Sequence, residues 1–205
     1  MSNRILIITA QVISQIFSPF YLPVMAFIVL LFFSYLRYTQ WTYNLQIVGM
    51  VYLFTVLVPR LAIYLYRKFN GWTRHQLSRR ERRLVPYGLS IASYAVLLFM
   101  MNAQSMPRFT LGIVAGALSI QILCALITPW LKVSTHAAAA GGVIGTVMAF
   151  SLILRFNPTE ALSWSILLTG LVCTARLILR QHTLTEVGVG VVIGIVSALF
   201  FILKI

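Results

Sequence analysis

The sequence is poor in charged side chains, and acidic ones are almost missing. Only 9% of its 205 residues are charged, whereas ordinary soluble domains carry about 25%. Its acidic residues are three glutamates, Glu81, Glu160 and Glu186. So little charge excludes an ordinary water-soluble domain. Any chemistry that needs a carboxylate has only these three side chains to draw on.

Cysteine is scarce as well. Cys124 and Cys173 both fall inside apolar segments, so we expect no disulfide and infer nothing about the redox compartment. The N-terminal region also lacks a small-residue cleavage site after a short apolar stretch, which argues against a removable signal peptide.

Long apolar runs dominate what is present, since 60% of the residues are hydrophobic. A helix that crosses a bilayer needs roughly 20 apolar residues. Because the runs are continuous rather than alternating, a transmembrane β-barrel is excluded. We predict an all-α fold, a polytopic transmembrane bundle of six to seven spanning helices forming one integral-membrane domain over residues 1–205. The candidate spans lie near 20–36, 46–66, 85–101, 109–130, 137–155, 161–179 and 187–204.

The segment before the first span has two interpretations. Residues 2–18 either extend that span or form an interfacial helix, and Pro19 and Pro23 predict a break between the two.

The positive charge is unevenly distributed along these spans. The net charge is +13, and most of it lies on the face shared by the N-terminus and the loops after spans two, four and six. Lys and Arg concentrate on the cytoplasmic side of membrane proteins. We therefore expect this face to be cytoplasmic, in the inner (plasma) membrane of a bacterium. A phosphate site would itself require several of these arginines and Lys132. When they are left out of the count, the excess of positive residues on this face becomes smaller but is not reversed.

Three polar segments on this face contain most of the reactive side chains. We call residues 78–86, 132–136 and 176–186 the first, second and third polar segments. Together they supply two histidines, a carboxylate and several guanidinium groups, which are the parts needed to hold a phosphate and attack its phosphorus. For the basic loop at 67–83 an alternative is a flank that stops translocation or binds anionic lipid headgroups.

The third segment pairs a histidine with a carboxylate. His182 and Glu186 are four residues apart, a spacing that puts both side chains on one face of a helix. A carboxylate beside an imidazole fixes the tautomer of the ring and supports its positive charge, which favours a nucleophile or a base. The alternative is a structural pair at a helix start.

The second segment places a histidine at a helix N-terminus. His136 follows Ser134 and Thr135 at the start of span five, where backbone N–H groups suit a phosphate oxygen. Ser134 or Thr135 can cap the helix and also donate to a ligand. His136 as a mere neighbour of the cap is the alternative. Zinc held by the two histidines and Glu186 is a weaker alternative, because no metal-binding spacing is present and nearby arginines would repel a cation.

The three segments resemble the three signature motifs of the type-2 phosphatidic acid phosphatase superfamily, over about residues 79–200. The third motif is matched by Ala175-Arg176, five residues, His182, three residues and Glu186, with Ala for Ser and Glu for Asp. The second is matched by Val133-Ser134-Thr135-His136, which keeps Ser and His. The first is represented by its basic residues and proline without the family spacing, in Arg79, Arg80, Arg82, Arg83 and Pro86.

The resemblance implies a catalytic core at about 79–205 and a role for each matched residue. His182 would attack phosphorus and form a phosphohistidine, Glu186 would orient its ring, and His136 would protonate the leaving alkoxide and then activate water. No metal and no cofactor would be needed. The implied substrate-binding residues are Arg176, Ser134, Thr135, Lys132, Arg79, Arg82 and Arg83.

The function that this resemblance implies is the hydrolysis of a phosphomonoester or diphosphate headgroup of a membrane lipid. The expected partners are the lipid phosphate and the bilayer, with no nucleic acid. The alternative is a non-catalytic phospholipid- or anion-binding protein, or a lipid carrier, with the same cationic pocket. Such a protein would need the arginines but not His182 beside Glu186.

Paired glycines predict where helices approach closely. Small residues four apart let helix backbones come together in a membrane, so spans four, five and seven are expected to pack tightly. Dimerisation is the alternative use, and the oligomeric state stays open. The pairs are Gly112/Gly116, Gly141/Gly145 and Gly190/Gly194.

Overall fold

The structure, a computed structural model, describes residues 2–33, 40–71 and 84–204. Within these ranges every regular element is a helix, as the continuous apolar runs predicted. We number the helices in chain order as α1 (Ser2–Ile16), α2 (Leu22–Phe33), α3 (Trp41–Phe69), α4 (Leu84–Ala103), α5 (Arg108–Ile127), α6 (Thr135–Leu154), α7 (Thr159–Ile178) and α8 (Leu184–Lys204).

Six of these helices, α3 to α8, are long and apolar enough to cross a membrane. The protein is therefore an all-α polytopic bundle, at the lower end of the predicted six to seven spans. The difference lies in the segment predicted near 20–36. Its described part is the short helix α2, and the rest of the segment lies outside the described residues.

Helix α1 is a separate helix that packs along α7, so residues 2–18 do not extend the first span. The predicted break is present, because α1 ends at Ile16 and Pro23 lies in the first turn of α2, where proline is tolerated. Ser14 and Arg176 meet near the C-terminal ends of the two helices, which therefore run in the same direction. Arg4 consequently lies at the far end of α1, not on the face to which the charge analysis assigned it.

Helix α3 contains one π-helical turn, Leu53–Leu57. It ends two residues before Pro59, which has no N–H for the helical ladder and disturbs the turn before it. After this turn Arg60 contacts the connection between α1 and α2. Its guanidinium lies 4.5 Å from the ring centroid of Tyr21 and donates a hydrogen bond to the Tyr21 hydroxyl. Helix α3 is thus hydrogen-bonded to the connection between α1 and α2.

Helices α5, α6 and α8 pack through the predicted glycines. A Cβ on Gly112 would lie 2.9 Å from the Cα of Ile202, and one on Gly141 would lie 2.9 Å from the Cα of Val191. On α8, a Cβ on Gly190 would lie 2.8 Å from the Ser134 carbonyl oxygen. These distances are too short for any side chain, so the prediction of close packing is confirmed.

The loop at 128–134 and the loop at 179–183 lie side by side, at what we call the motif end of the bundle. The Ser134 N–H donates to the Glu186 carbonyl oxygen over 3.2 Å, which joins the start of α6 to the start of α8. Tyr87, in the first turn of α4, packs in one buried cluster with Cys124 and Val133. The second and third polar segments and the end of the first therefore converge.

The packing of α8 on α6 provides a first prediction. In Gly194→Ala the new Cβ would lie 2.6 Å from the Gly142 nitrogen, and such overpacking costs about 1–3 kcal/mol of unfolding free energy. Gly188→Ala is the matched control on the same helix, because no atom lies within 4 Å of its Cβ position. We expect the control to be neutral or stabilising by about 0.5–1 kcal/mol. Denaturant titration in detergent micelles measures both, and equal stabilities would contradict the packing described.

Candidate functional site

A cavity of ≈ 1620 Å³ reaches the motif end of the bundle. Its wall includes four of the predicted site residues: Thr135 and His136 at the start of α6, Arg176 at the end of α7, and His182 in the loop before α8. Pro86, from the first turn of α4, is also part of the wall. His136 thus borders the same cavity as Arg176 and His182, which follow it by 40 and 46 residues in the sequence.

Ser134 begins the helix that carries His136. Its backbone is extended (φ −80°, ψ 107°), and its hydroxyl oxygen accepts a hydrogen bond from the Ala137 N–H over 3.4 Å, as an N-cap does. Ser134 is fully buried and is not part of the cavity wall, whereas Thr135 and His136 are. The cap fixes where α6 starts, and the positive end of its dipole lies against the cavity.

His182 lies in the loop before α8 and makes two hydrogen bonds through one nitrogen. Its Nδ1 is 3.0 Å from Glu186 Oε2 and 3.0 Å from the Lys132 carbonyl oxygen. Both partners are acceptors, so Nδ1 must carry the proton. In the neutral ring the lone pair is therefore on Nε2. The contact between His182 and Glu186 that the four-residue spacing predicted is present. The glutamate side chain, which is longer than the aspartate of the family motif, reaches the ring.

Glu186 also caps helix α8. Its Oε2 accepts from the Thr183 N–H over 3.2 Å, and its own N–H donates to Thr183 Oγ1 over 3.3 Å. This reciprocal pair is a capping box. The sequence analysis missed it, although Thr183-Leu184-Thr185-Glu186 has the capping-box spacing. One carboxylate thus fixes both the start of α8 and the orientation of the His182 ring.

Lys132 connects the two loops. Its Nζ donates to the Gln181 carbonyl oxygen over 3.2 Å, and its own carbonyl oxygen accepts from His182. Lys132 is not part of the cavity wall. The predicted role of Lys132 in phosphate binding stays a prediction, and its two contacts show that it also holds the His182 loop in place.

Arg176 lies in the last turn of α7 and is only 8% exposed. Its Nη1 donates to the hydroxyl of Ser14 on α1 over 2.7 Å. Ser14 is a further residue that the sequence analysis missed. The available signal was a pair of small residues, Ala10 and Ser14, which lie four apart on one face of α1 and are both buried. Helix α1 therefore supplies a hydrogen-bond acceptor for a predicted site residue.

Three predicted phosphate-binding arginines, Arg79, Arg82 and Arg83, lie outside the described residues. In the ranges that the structure does describe, no group of three or more His, Cys, Asp or Glu side chains is arranged to hold a metal ion.

Comparison of the chain with models of known protein families, with curated proteins and with solved structures found no match.

The contact between Ser14 and Arg176 gives a second prediction. In Ser14→Ala the buried guanidinium loses a hydrogen bond, and bonds to charged groups contribute about 1.5–3 kcal/mol. We expect the unfolding free energy to fall by that amount, while Ser14→Thr, which keeps a hydroxyl, loses less. Thr9→Ala is the control, because the Thr9 hydroxyl bonds only to carbonyl oxygens of its own helix among the contacts described. If Ser14→Ala is as stable as Thr9→Ala in the same detergent titration, the contact contributes nothing.

Proposed function

We propose that the protein is a membrane lipid-phosphate phosphatase that works without a metal through a phosphohistidine intermediate. The observation that carries this proposal is that His136, His182 and Arg176 border one cavity with a largely apolar wall. Two imidazoles and a guanidinium can hold and transfer a phosphoryl group, and an apolar wall suits the lipid that bears it. The resemblance to the type-2 phosphatidic acid phosphatase motifs points the same way.

In the first half of the proposed reaction, the lone pair of His182 Nε2 forms a bond to phosphorus. The phosphorus–oxygen bond to the lipid breaks, and the leaving alkoxide takes a proton from the imidazolium of His136. The His182 ring then carries positive charge, which Glu186 Oε2 stabilises across 3.0 Å. In many enzymes a carboxylate likewise orients the imidazole that takes part in the reaction and stabilises its positive charge.

In the second half, neutral His136 takes a proton from water, and the resulting hydroxide attacks phosphorus. The phosphorus–nitrogen bond breaks, inorganic phosphate leaves, and both rings return to their starting states. Arg176 and the positive end of the α6 dipole stabilise the negative charge spread over the phosphoryl oxygens. Phosphoryl transfer depends mainly on such positioning and charge stabilisation.

A lipid carrier or anion-binding protein is the second candidate. The capping box favours this candidate, because Glu186 stabilises the start of α8 whether or not the protein is an enzyme. A carrier would also use the apolar cavity. The two candidates differ in whether the His182 ring is needed, and that difference can be measured.

The proposed site lies at one end of the bundle, and therefore at one side of the membrane. We further propose that the motif end faces the cytoplasm of a bacterial inner membrane, because the sequence between α3 and α4, between α5 and α6 and between α7 and α8 is rich in Lys and Arg, which concentrate on the cytoplasmic side. A headgroup would then reach the site from the cytoplasmic leaflet.

A third prediction tests the phosphatase against the carrier. We expect the purified protein, in detergent with EDTA, to release inorganic phosphate from a panel containing phosphatidate, phosphatidylglycerol phosphate and polyprenyl phosphates. His182→Ala removes the nucleophile, so the rate should fall by a factor on the order of 10³ or more. The control is Thr185→Ala, an exposed residue in the same turn, which should keep the wild-type rate. Lipid binding that persists without any phosphate release from wild-type protein would favour the carrier.

A fourth prediction isolates the charge of Glu186. Glu186→Gln keeps an oxygen that can accept from His182 Nδ1 and from the Thr183 N–H, so the cap and the ring orientation are retained. It removes the negative charge that stabilises the imidazolium, a difference of about 1–2 kcal/mol, which corresponds to a rate loss of roughly five- to thirtyfold. Glu186→Asp keeps the charge on a shorter arm. A Gln variant with the full rate and unchanged stability would limit Glu186 to its capping role.

A further inference from the structure

The cavity follows one face of α6 along nearly its whole length. The α6 residues in its wall run from Thr135, the first residue of the helix, to Leu154, the last, and fall within one broad arc of its surface. They are Thr135, His136, Ala139, Gly142, Val143, Thr146, Val147, Phe150 and Leu154. This spacing is that of a single helical face. A large part of α2 is also in the wall, including Pro23, Ala26 and Leu30.

The length of this face can be compared with the membrane. Leu154 follows His136 by 18 residues, which is about 27 Å of helix at 1.5 Å per residue. The hydrocarbon core of a bilayer is about 30 Å thick, so one leaflet contributes about 15 Å. The face of α6 that lines the cavity begins at the predicted catalytic residues and is therefore longer than one leaflet is thick.

Two hydroxyl groups along this route, those of Thr146 and Ser90, do not require a polar ligand. Thr146 donates to the Gly142 carbonyl oxygen over 2.7 Å, and Ser90 donates to the Pro86 carbonyl oxygen over 3.0 Å. Each hydroxyl is therefore satisfied within its own helix, and what it presents to the cavity is largely carbon. Beyond the motif end the α6 wall consists mainly of Ala, Gly, Val, Phe and Leu.

From this geometry we infer the class of substrate, an inference that rests on the proposed phosphatase activity. We propose that the cavity holds the single long chain of a polyisoprenyl phosphate or diphosphate, with the phosphate at His136, His182 and Arg176. The tails of a diacyl phospholipid end near the midplane of the bilayer and would leave the far half of the cavity empty. A single chain longer than one leaflet would fill it from end to end.

The first arm of the test uses wild-type protein. Phosphate release is measured for farnesyl phosphate, geranylgeranyl phosphate, undecaprenyl phosphate and dioleoyl phosphatidate in the same detergent. We expect kcat/KM to increase along the isoprenoid series and, for undecaprenyl phosphate, to exceed that for phosphatidate by about tenfold or more. Equal values for phosphatidate and undecaprenyl phosphate, or no dependence on isoprenoid length, would overturn the inference while leaving the phosphatase intact.

The second arm narrows the cavity near the midplane. Val147 lines the cavity 11 residues after His136, and Val147→Trp should lower the ratio of undecaprenyl to farnesyl turnover by about tenfold. The control is Leu152→Trp, on the same helix but 63% exposed and outside the cavity wall, which should leave the ratio unchanged. An unchanged ratio in a folded Val147→Trp protein would also overturn the inference. If that variant does not fold, the wild-type series decides alone.

The third arm separates failure of this inference from failure of the proposed function. Native mass spectrometry with equal amounts of undecaprenyl phosphate and dioleoyl phosphatidate measures which lipid the wild-type protein retains. Preferential retention of undecaprenyl phosphate without any hydrolysis would support the chain site and reject the phosphatase. Retention of phosphatidate alone would reject the chain site whatever the hydrolysis result.

Discussion

The close approach of α8 to α6 is the contact on which the rest of the site depends. Because Gly190 has no side chain, the backbone of α8 can lie against the Ser134 carbonyl at the start of α6. The Ser134 N–H then reaches the Glu186 carbonyl oxygen. Two helix N-termini are held together in this way by backbone atoms. Since His136 follows one of them and His182 precedes the other, the packing of the glycines sets the separation of the two imidazoles.

Around this contact the loops are organised by shared hydrogen-bonding groups. The Lys132 carbonyl oxygen and the Glu186 carboxylate both accept from His182 Nδ1, and the same carboxylate caps α8. The ring orientation, the helix start and the path of the neighbouring loop are therefore not independent. Hydrogen-bonded groups coupled in this way have effects that do not add when they are changed singly. A mutational study of this region needs paired substitutions to assign separate contributions.

How far the sequence could predict this arrangement differs from residue to residue. The apolar runs and the paired glycines identified the bundle and its tightest contacts, because helical periodicity and side-chain size are local properties. The four-residue spacing of His182 and Glu186 was informative for the same reason. By contrast, the pairing of Arg176 with Ser14 joins residues 162 positions apart, and no local pattern specifies which helix α1 packs on. The contact of Lys132 with the His182 loop could not be predicted either, because a positive charge in the sequence does not reveal which carbonyl oxygen it will meet.

The π turn in α3 sets the direction in which Arg60 approaches the connection between α1 and α2. A π turn accommodates an additional residue, and one residue corresponds to a rotation of about 100° around a helix. Every side chain after Leu57 is therefore turned by that angle relative to an unbroken α-helix, and Arg60 meets Tyr21 in this rotated setting. Deleting one residue from the turn would direct Arg60 elsewhere. The connection between α1 and α2 would then lose its bond to Arg60, whereas α2 would keep its packing against Trp41–Tyr52, the part of α3 that precedes the π turn.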